Sequence, residues 1–226
     1  MKKRKNYFSE CDGDVDSMFS AKLSDYKGLM KRYGINRGHL APASNFKYNK
    51  QAYQRAFCLW NIFPQNAESN AGLWLCAERL AQHLVDKAGI KTVYVYSGTR
   101  FKVHTDAEGN KFKHFELIGS TGIAVPDVAY KIYVAPHDGM TYTFAVMMDN
   151  SKNGARDTDL LKYETTVEII EERTGFKFPD AMKGDNVQPL CDSFSCDIKH
   201  WSKKNSVCQS EDKSDDSDES DDTGSW

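Results

Sequence analysis

Residues 36–42 read Asn-Arg-Gly-His-Leu-Ala-Pro, a polar group set among apolar neighbours. Arg37 offers a permanent positive charge suited to a phosphate. His39 is the side chain type best placed to take a proton from water near neutral pH. Gly38 allows a backbone to come close to a ligand. Taken alone, the Arg-Gly-His triplet reads as a surface turn carrying a solvated histidine.

A second stretch, residues 57–78, changes that reading: FCLWNIFPQNAESNAGLWLCAE. Phe57 to Phe63 is apolar and aromatic and predicts a short strand, with Asn61 closing it and Pro64-Gln65 following. Asn66 to Asn70 predicts a turn. From Asn70 to Val85 the apolar residues Leu73, Ala77, Leu80 and Leu84 recur at helical spacing. On one continuous helix at roughly 100° per residue, Asn70 and Glu78 would be about 80° apart and share a broad flank. An amide at the edge of an apolar stripe needs a partner, and a hard cation is a candidate because it takes carbonyl oxygens. The plainer readings are that Asn70 or Ser69 caps the helix and that Glu78 is solvated.

Together these residues resemble the DNA/RNA non-specific endonucleases, the ββα-metal nucleases that include endonuclease G-like and extracellular arthropod-type enzymes. The resemblance rests on Arg37-Gly38-His39, then Asn61, Pro64-Gln65, Asn70 and Glu78, and runs from about Arg4 to His200. It implies an α+β fold with a mainly antiparallel central sheet flanked by helices. It also implies a sequence-non-specific, Mg²⁺-dependent endonuclease acting on DNA and RNA, with Mn²⁺ as the other candidate metal. In that reading His39 is the general base, Asn70 the one protein ligand of the metal, and Glu78 holds metal-bound water. Asn61 steadies the site beside His39, Arg37 contacts phosphate, and Arg4 matches a further phosphate-binding arginine. The sequence departs from the family pattern at Asn36, where an aspartate is usual, and at Trp60, where a small residue is commoner. The chain also begins close to Arg4, so the sheet is expected to lack N-terminal strands.

Beyond the motifs, residues 1–36 are polar and glycine-punctuated and predict a long loop with short ordered pieces. Asn49 to Phe57 is weakly helical. Thr92–Ser97, Phe115–Ile118, Ile123–Val125, Ala129–Val134 and Tyr142–Met148 carry strand patterns, and Thr166–Arg173 a helix ending before Gly175. Helices and strands mix without βαβ alternation, independently favouring α+β. The domain assignment is a nuclease domain over 1–208 and an acidic, disordered tail over 209–226.

The formal net charge of −2 conceals an asymmetry. Residues 211–226 hold eight acids and one lysine, so setting aside that −7 leaves +5 on the rest. A mildly basic body suits a polyanion. With 40% hydrophobic and 12% aromatic residues the body can build a core, but no apolar run is long enough to span a membrane. The basic start, Met1 to Arg4, lacks the apolar stretch of a secretory leader. Of six cysteines, Cys191, Cys196 and Cys208 lie late in the chain. They predict disulfides clamping a C-terminal segment and an oxidising compartment, with reduced, buried thiols as the alternative. Secretion is the favoured location, with mitochondria or cytosol as alternatives. Competing functions are a catalytically weak nucleic-acid-binding relative, an interaction module acting through the tail, and a zinc hydrolase. The last is disfavoured because His83, His104, His114, His137 and His200 stand singly.

Overall fold

Two ten-residue strands, β8 (Val128–His137) and β9 (Met140–Asp149), pair antiparallel along their whole length and form the centre of the protein. Their two-residue loop is Asp138-Gly139, both at positive φ (48° and 80°), as a hairpin with native strand twist requires. In this computed structural model the described residues are 8–11, 16, 20–86, 88–152, 159–184, 187–196 and 198. Arg4, His200, Cys208 and the acidic tail over 209–226 lie outside them.

In chain order the helices are α1 (Leu29–Tyr33), α2 (Lys50–Arg55), α3 (Ala67–Ala71), α4 (Leu73–Asp86), α5 (Val167–Thr174) and α6 (Leu190–Ser193). The other strands are β1 (Ile35–His39), β2 (Ile62–Asn66), β3 (Tyr94–Arg100), β4 (His104–Thr105), β5 (Lys111–Phe112), β6 (Leu117–Ile118), β7 (Ile123–Ala124), β10 (Glu164–Thr165) and β11 (Val187–Pro189). The main sheet has the order β10-β9-β8-β3, with β11 joining β9 in parallel. Every other pairing in it is antiparallel, and β1 pairs antiparallel with β2 in a separate ribbon.

Residues 128–135 of β8 are all buried, because helices cover both faces of the sheet. Ala129, Tyr133, Phe144, Val146 and Met148 pack with Leu73, Trp74, Ala77, Leu80 and Leu84 of α4. Tyr130, Ile132, Val134 and Ala145 turn the other way, onto Val167 and Ile170 of α5 and onto Met182. Leu73, Leu80 and Leu84 are fully buried, each contributing roughly 1.5–3 kcal/mol of transfer free energy. A third cluster, Tyr26, Leu29, Ile35, Leu59, Ile62 and Ile118, underlies the β1–β2 ribbon.

Several local expectations shift. The Phe57–Phe63 segment is not a strand throughout: Leu59–Asn61 is a 3₁₀ turn, and β2 begins at Ile62. The cause lies in its partners. Ser9 bridges Cys58 in parallel, its N–H donating to Phe57 O and its carbonyl accepting from Leu59 N, while Asn61 Nδ2 donates back to Ala56 O. The expected turn at 66–70 is mostly helix, since Asn66 caps α3 by accepting from Glu68 N and Ser69 N. Asn70 therefore belongs to α3 and neither caps nor opens the long helix. Gly72, at φ −109° and ψ −108°, separates α3 from α4, so the single-helix argument relating Asn70 to Glu78 does not hold. Within the polar segment 1–36, α1 and the start of β1 are regular.

Candidate active site

Strand β1 carries the Arg-Gly-His triplet, which is thus no surface turn. Its register on β2 sets Arg37 against Pro64, Gly38 against Phe63 and His39 against Ile62. By strand alternation Ile35, Arg37 and His39 share one face, and Asn36 and Gly38 the other. On the second face the Gln65 side chain lies across Gly38, where an added Cβ would stand 2.1 Å from Gln65 Oε1 and 2.6 Å from Gln65 Cβ. The glycine is thus required by close packing inside the ribbon rather than by approach to a ligand. Asn36, paired with Gln65, keeps its Oδ1 buried without a hydrogen-bond partner.

The His39 ring sits among phenyl groups. Phe57 stands edge-on to it at 5.2 Å between centroids, and Phe8 lies at 5.6 Å. Arg37 places its guanidinium carbon 4.9 Å from the centroid of the same Phe8 ring. The Cys11–Cys58 disulfide ties the segment bearing Phe8 to the segment bearing Phe57. Nε2 of His39 has neither solvent contact nor a hydrogen-bond partner. Burial lowers the His39 pKa to about 4, so the imidazole is neutral at physiological pH.

The backbone that follows His39 is held on every side. Trp74 Nε1 donates to His39 O at 3.0 Å and to Glu78 Oε1 at 3.1 Å. Leu40 N donates to Asn61 O at 2.9 Å. Asn61 Oδ1 accepts from Ala41 N at 3.0 Å, and its Nδ2 donates to Ala41 O and Ala56 O, each at 2.8 Å. With its amide fully engaged by backbone and its surface 5% exposed, Asn61 is a brace for the loop after His39. Lys131 of β8, fully buried, donates to Leu40 O and Ser97 Oγ, each at 2.8 Å, and lies 4.2 Å from the Trp74 ring centroid. Burial lowers its pKa to about 8 against the opposing pull of Glu78.

Asn70 is half-buried on α3, which packs against β1, β2 and α4. The end of β2 leading into α3 is fixed by Asn150, which accepts from Asn66 N at 2.8 Å and donates to Pro64 O and Pro126 O. Two strands followed by a helix, with His39 on the first strand and Asn70 and Glu78 at the head of the helical part, make a ββα unit. Among the described residues no group of three or more His, Cys, Asp or Glu could hold a metal. A metal here would depend on few protein oxygens. The Asn70 carbonyl fits that demand, being of the hard oxygen type and outside the Asn66 cap.

A family model described as "DNA/RNA non-specific endonuclease" matches residues 1–185. The chain belongs to that family. Its fold is the ββα-metal nuclease fold, and a crystal structure of the EndoG/EndoGI complex matches it with a TM-score of 0.65. That likeness covers 81% of this chain and 76% of the other at 24% identity, and speaks for the fold. The mitochondrial nuclease EXOG of Xenopus laevis is 34% identical over 197 residues, 85% of this chain and 53% of the relative. The mitochondrial nuclease of Saccharomyces cerevisiae is 30% identical over 206 residues, 86% of this chain and 60% of the relative. Human mitochondrial endonuclease G is 27% identical, over 74% of this chain and 54% of its own length. The chain thus spans about half the length of such curated relatives.

This endonuclease-family chain carries features that its motifs did not reveal. Phe8, Phe57, Trp74, Lys131 and Asn150 all support the His39–Asn70 region but lie outside the motif or in unremarkable positions within it. A lysine inside the apolar run of β8 was the one legible signal. Of the cysteines, Cys191–Cys196 closes a short loop inside the late segment rather than clamping it to the body, and Cys11–Cys58 bridges the N-terminal segment to the residues before β2. Cys76 is a buried thiol in α4. No described helix is long and apolar enough to cross a membrane.

Proposed function

We propose that the protein is a sequence-non-specific, Mg²⁺-dependent endonuclease that hydrolyses phosphodiester bonds of DNA and RNA with His39 as general base. One observation carries this reading. His39 is held neutral on a pinned strand end, with Nε2 closed off. That leaves Nδ1 as the nitrogen to take a proton. His39 accepts a proton from water as the water oxygen attacks phosphorus, the P–O bond to the leaving oxygen breaks, and that oxygen leaves with a proton from solvent. Arg37 offsets charge on the phosphate, and Arg4 is assigned the same role. Asn61, Trp74 and the β1–β2 register orient the base. Asn70 would hold the metal and Glu78 its water; such an ion supplies Lewis-acid stabilisation of the leaving oxygen. Mn²⁺ is the alternative ion.

The relatives named above are mitochondrial by name, which favours mitochondria over the extracellular location. The two disulfides further call for a compartment where such bonds persist. The +5 body favours phosphate contacts over base readout. Digestion of supercoiled plasmid and of RNA by wild type and His39→Ala, with Mg²⁺ and with chelator, tests the assignment.

A further inference from the structure

We propose that Lys131 is a positioning residue for the His39 base, acting through the Leu40 carbonyl. Trp74 is its counterpart on the His39 carbonyl. The inference rests on the reading of His39 as base, but its physical basis is separate.

A fully buried ammonium in the middle of an apolar strand carries a desolvation cost. Its same-face strand neighbours, Ala129 and Tyr133, belong to the apolar core, and Glu78 is the carboxylate whose charge favours the ammonium. At hydrogen-bond and ring-contact distance the charge is met by two oxygens and an aromatic face, Leu40 O, Ser97 Oγ and the Trp74 ring, with Glu78 adding a longer-range attraction. Ser97 is the direct cross-strand partner of Lys131 in the β3–β8 register, so one hydrogen bond stays inside the sheet. The other leaves the sheet for the residue after His39. A methionine would fill the same space without the desolvation cost, but it could not hold that carbonyl.

The consequence is geometric. Three successive residues from His39 onward are gripped by different elements: His39 O by Trp74 of α4, Leu40 O by Lys131 of β8, and Ala41 by Asn61 before β2. The β1–β2 ribbon belongs to a different sheet from β8. Lys131 is therefore a direct link between the strand end carrying the base and the central sheet, as Asn150 is at the other end of the ribbon. Slack of about 1 Å in such a link costs up to about 100-fold in rate.

The test uses the full chain with Lys131→Met, Lys131→Gln and Trp74→Phe, read by steady-state kinetics on DNA and by NMR of the His39 imidazole without substrate or metal. Lys131→Met should fold with a lowered melting temperature, because Leu40 O is left unpaired, lose about 10- to 100-fold in kcat, keep KM within about threefold, and shift the His39 ring resonances. Lys131→Gln, which keeps an N–H donor, should recover part of the rate. Trp74→Phe, which keeps the ring and loses the N–H, should also shift the His39 resonances. A folded Lys131→Met with unchanged kcat and unchanged His39 resonances overturns the proposal. If Lys131→Met does not fold, the same two readings on Lys131→Gln decide it: a partial loss of kcat with shifted His39 resonances supports the proposal, and wild-type values for both overturn it. Should the wild type show no nuclease activity, the general-base reading fails, while the NMR measurement still judges whether Lys131 positions His39.

Discussion

The imidazole of His39 meets the Phe57 ring edge-on, at an interplanar angle of 87°, and this contact is part of what keeps the histidine uncharged. The folded pKa of about 4 lies below the unfolded value of 6.5, so the unfolded chain binds the proton first as pH falls. The stability held by neutral His39 is complete above pH 6.5 and is lost between there and about 4. The acid limb of kcat/KM should likewise lie below the ordinary histidine range. Phe8→Ala opens the ring to water and should move that limb upward. A wild-type acid limb at or above 6.5 would count against the enclosed, neutral base.

Asn70→Ala should reduce the rate and raise the Mg²⁺ concentration required, with little change in thermal stability. The separation of effects follows from the cap: Asn66, not Asn70, satisfies the first amides of α3. Asn66→Ala should cost about 1 kcal/mol of stability. Asn70→Asp keeps an oxygen and should be the milder change. Metal titration and thermal melts of the three variants check this. An unaltered Mg²⁺ requirement in Asn70→Ala removes the ligand assignment.

Asn61→Ala should behave differently, losing stability and rate together. It strips the partners from Ala41 N, Ala41 O and Ala56 O, all in or near the loop after His39. The expected loss is about 2–3 kcal/mol in denaturant melts, since buried backbone groups are left unpaired. Full stability in Asn61→Ala would show that water replaces the amide and that the brace is dispensable.

Asp25 supplies an acid-stability prediction away from the active site. It accepts from Lys22 N, Ser120 N, Ser120 Oγ, Thr121 N and Thr121 Oγ1, beneath Gly119 at φ +69°. An added Cβ at Gly119 would stand 2.3 Å from Asp25 Cβ, so only glycine allows the loop to close over the carboxylate. Burial alone would raise the pKa, but these donors, Thr121 first, bring it from 3.8 to about 2. Stability from this group is present above pH 3.8 and lost as pH falls through about 2. Asp25→Asn should flatten this part of the acid-unfolding curve, and an unchanged curve would contradict the assignment.

The sequence made the outline of the fold legible where one residue pattern had one outcome. Leu73, Ala77, Leu80 and Leu84 marked α4, Thr166 and Gly175 bounded α5, and β-branched and aromatic runs located β3, β8 and β9. It misled where a distant partner decided local geometry. The curl at Leu59–Asn61 depends on Ser9 and the Ala56 carbonyl, far from any periodic signal. Asn66 outcompeted Asn70 as a cap because its side chain reaches the Glu68 and Ser69 amides ahead of Gly72. At the site, the motif brought His39, Asn61, Asn70 and Glu78 into one ββα unit. The phenyl enclosure of His39 and the Lys131 link arise from tertiary packing that no spacing encodes.

In the proposed function His39 activates water for phosphodiester hydrolysis. The most direct measurement is the rate of supercoiled plasmid and RNA cleavage by wild type and His39→Ala, each with Mg²⁺ and with chelator. Wild type should cleave both substrates with little sequence bias, only with metal, and His39→Ala should be about 10²–10⁴-fold slower while still folded and binding DNA. His39→Ala activity within about tenfold of wild type, or cleavage indifferent to chelator, would contradict the account.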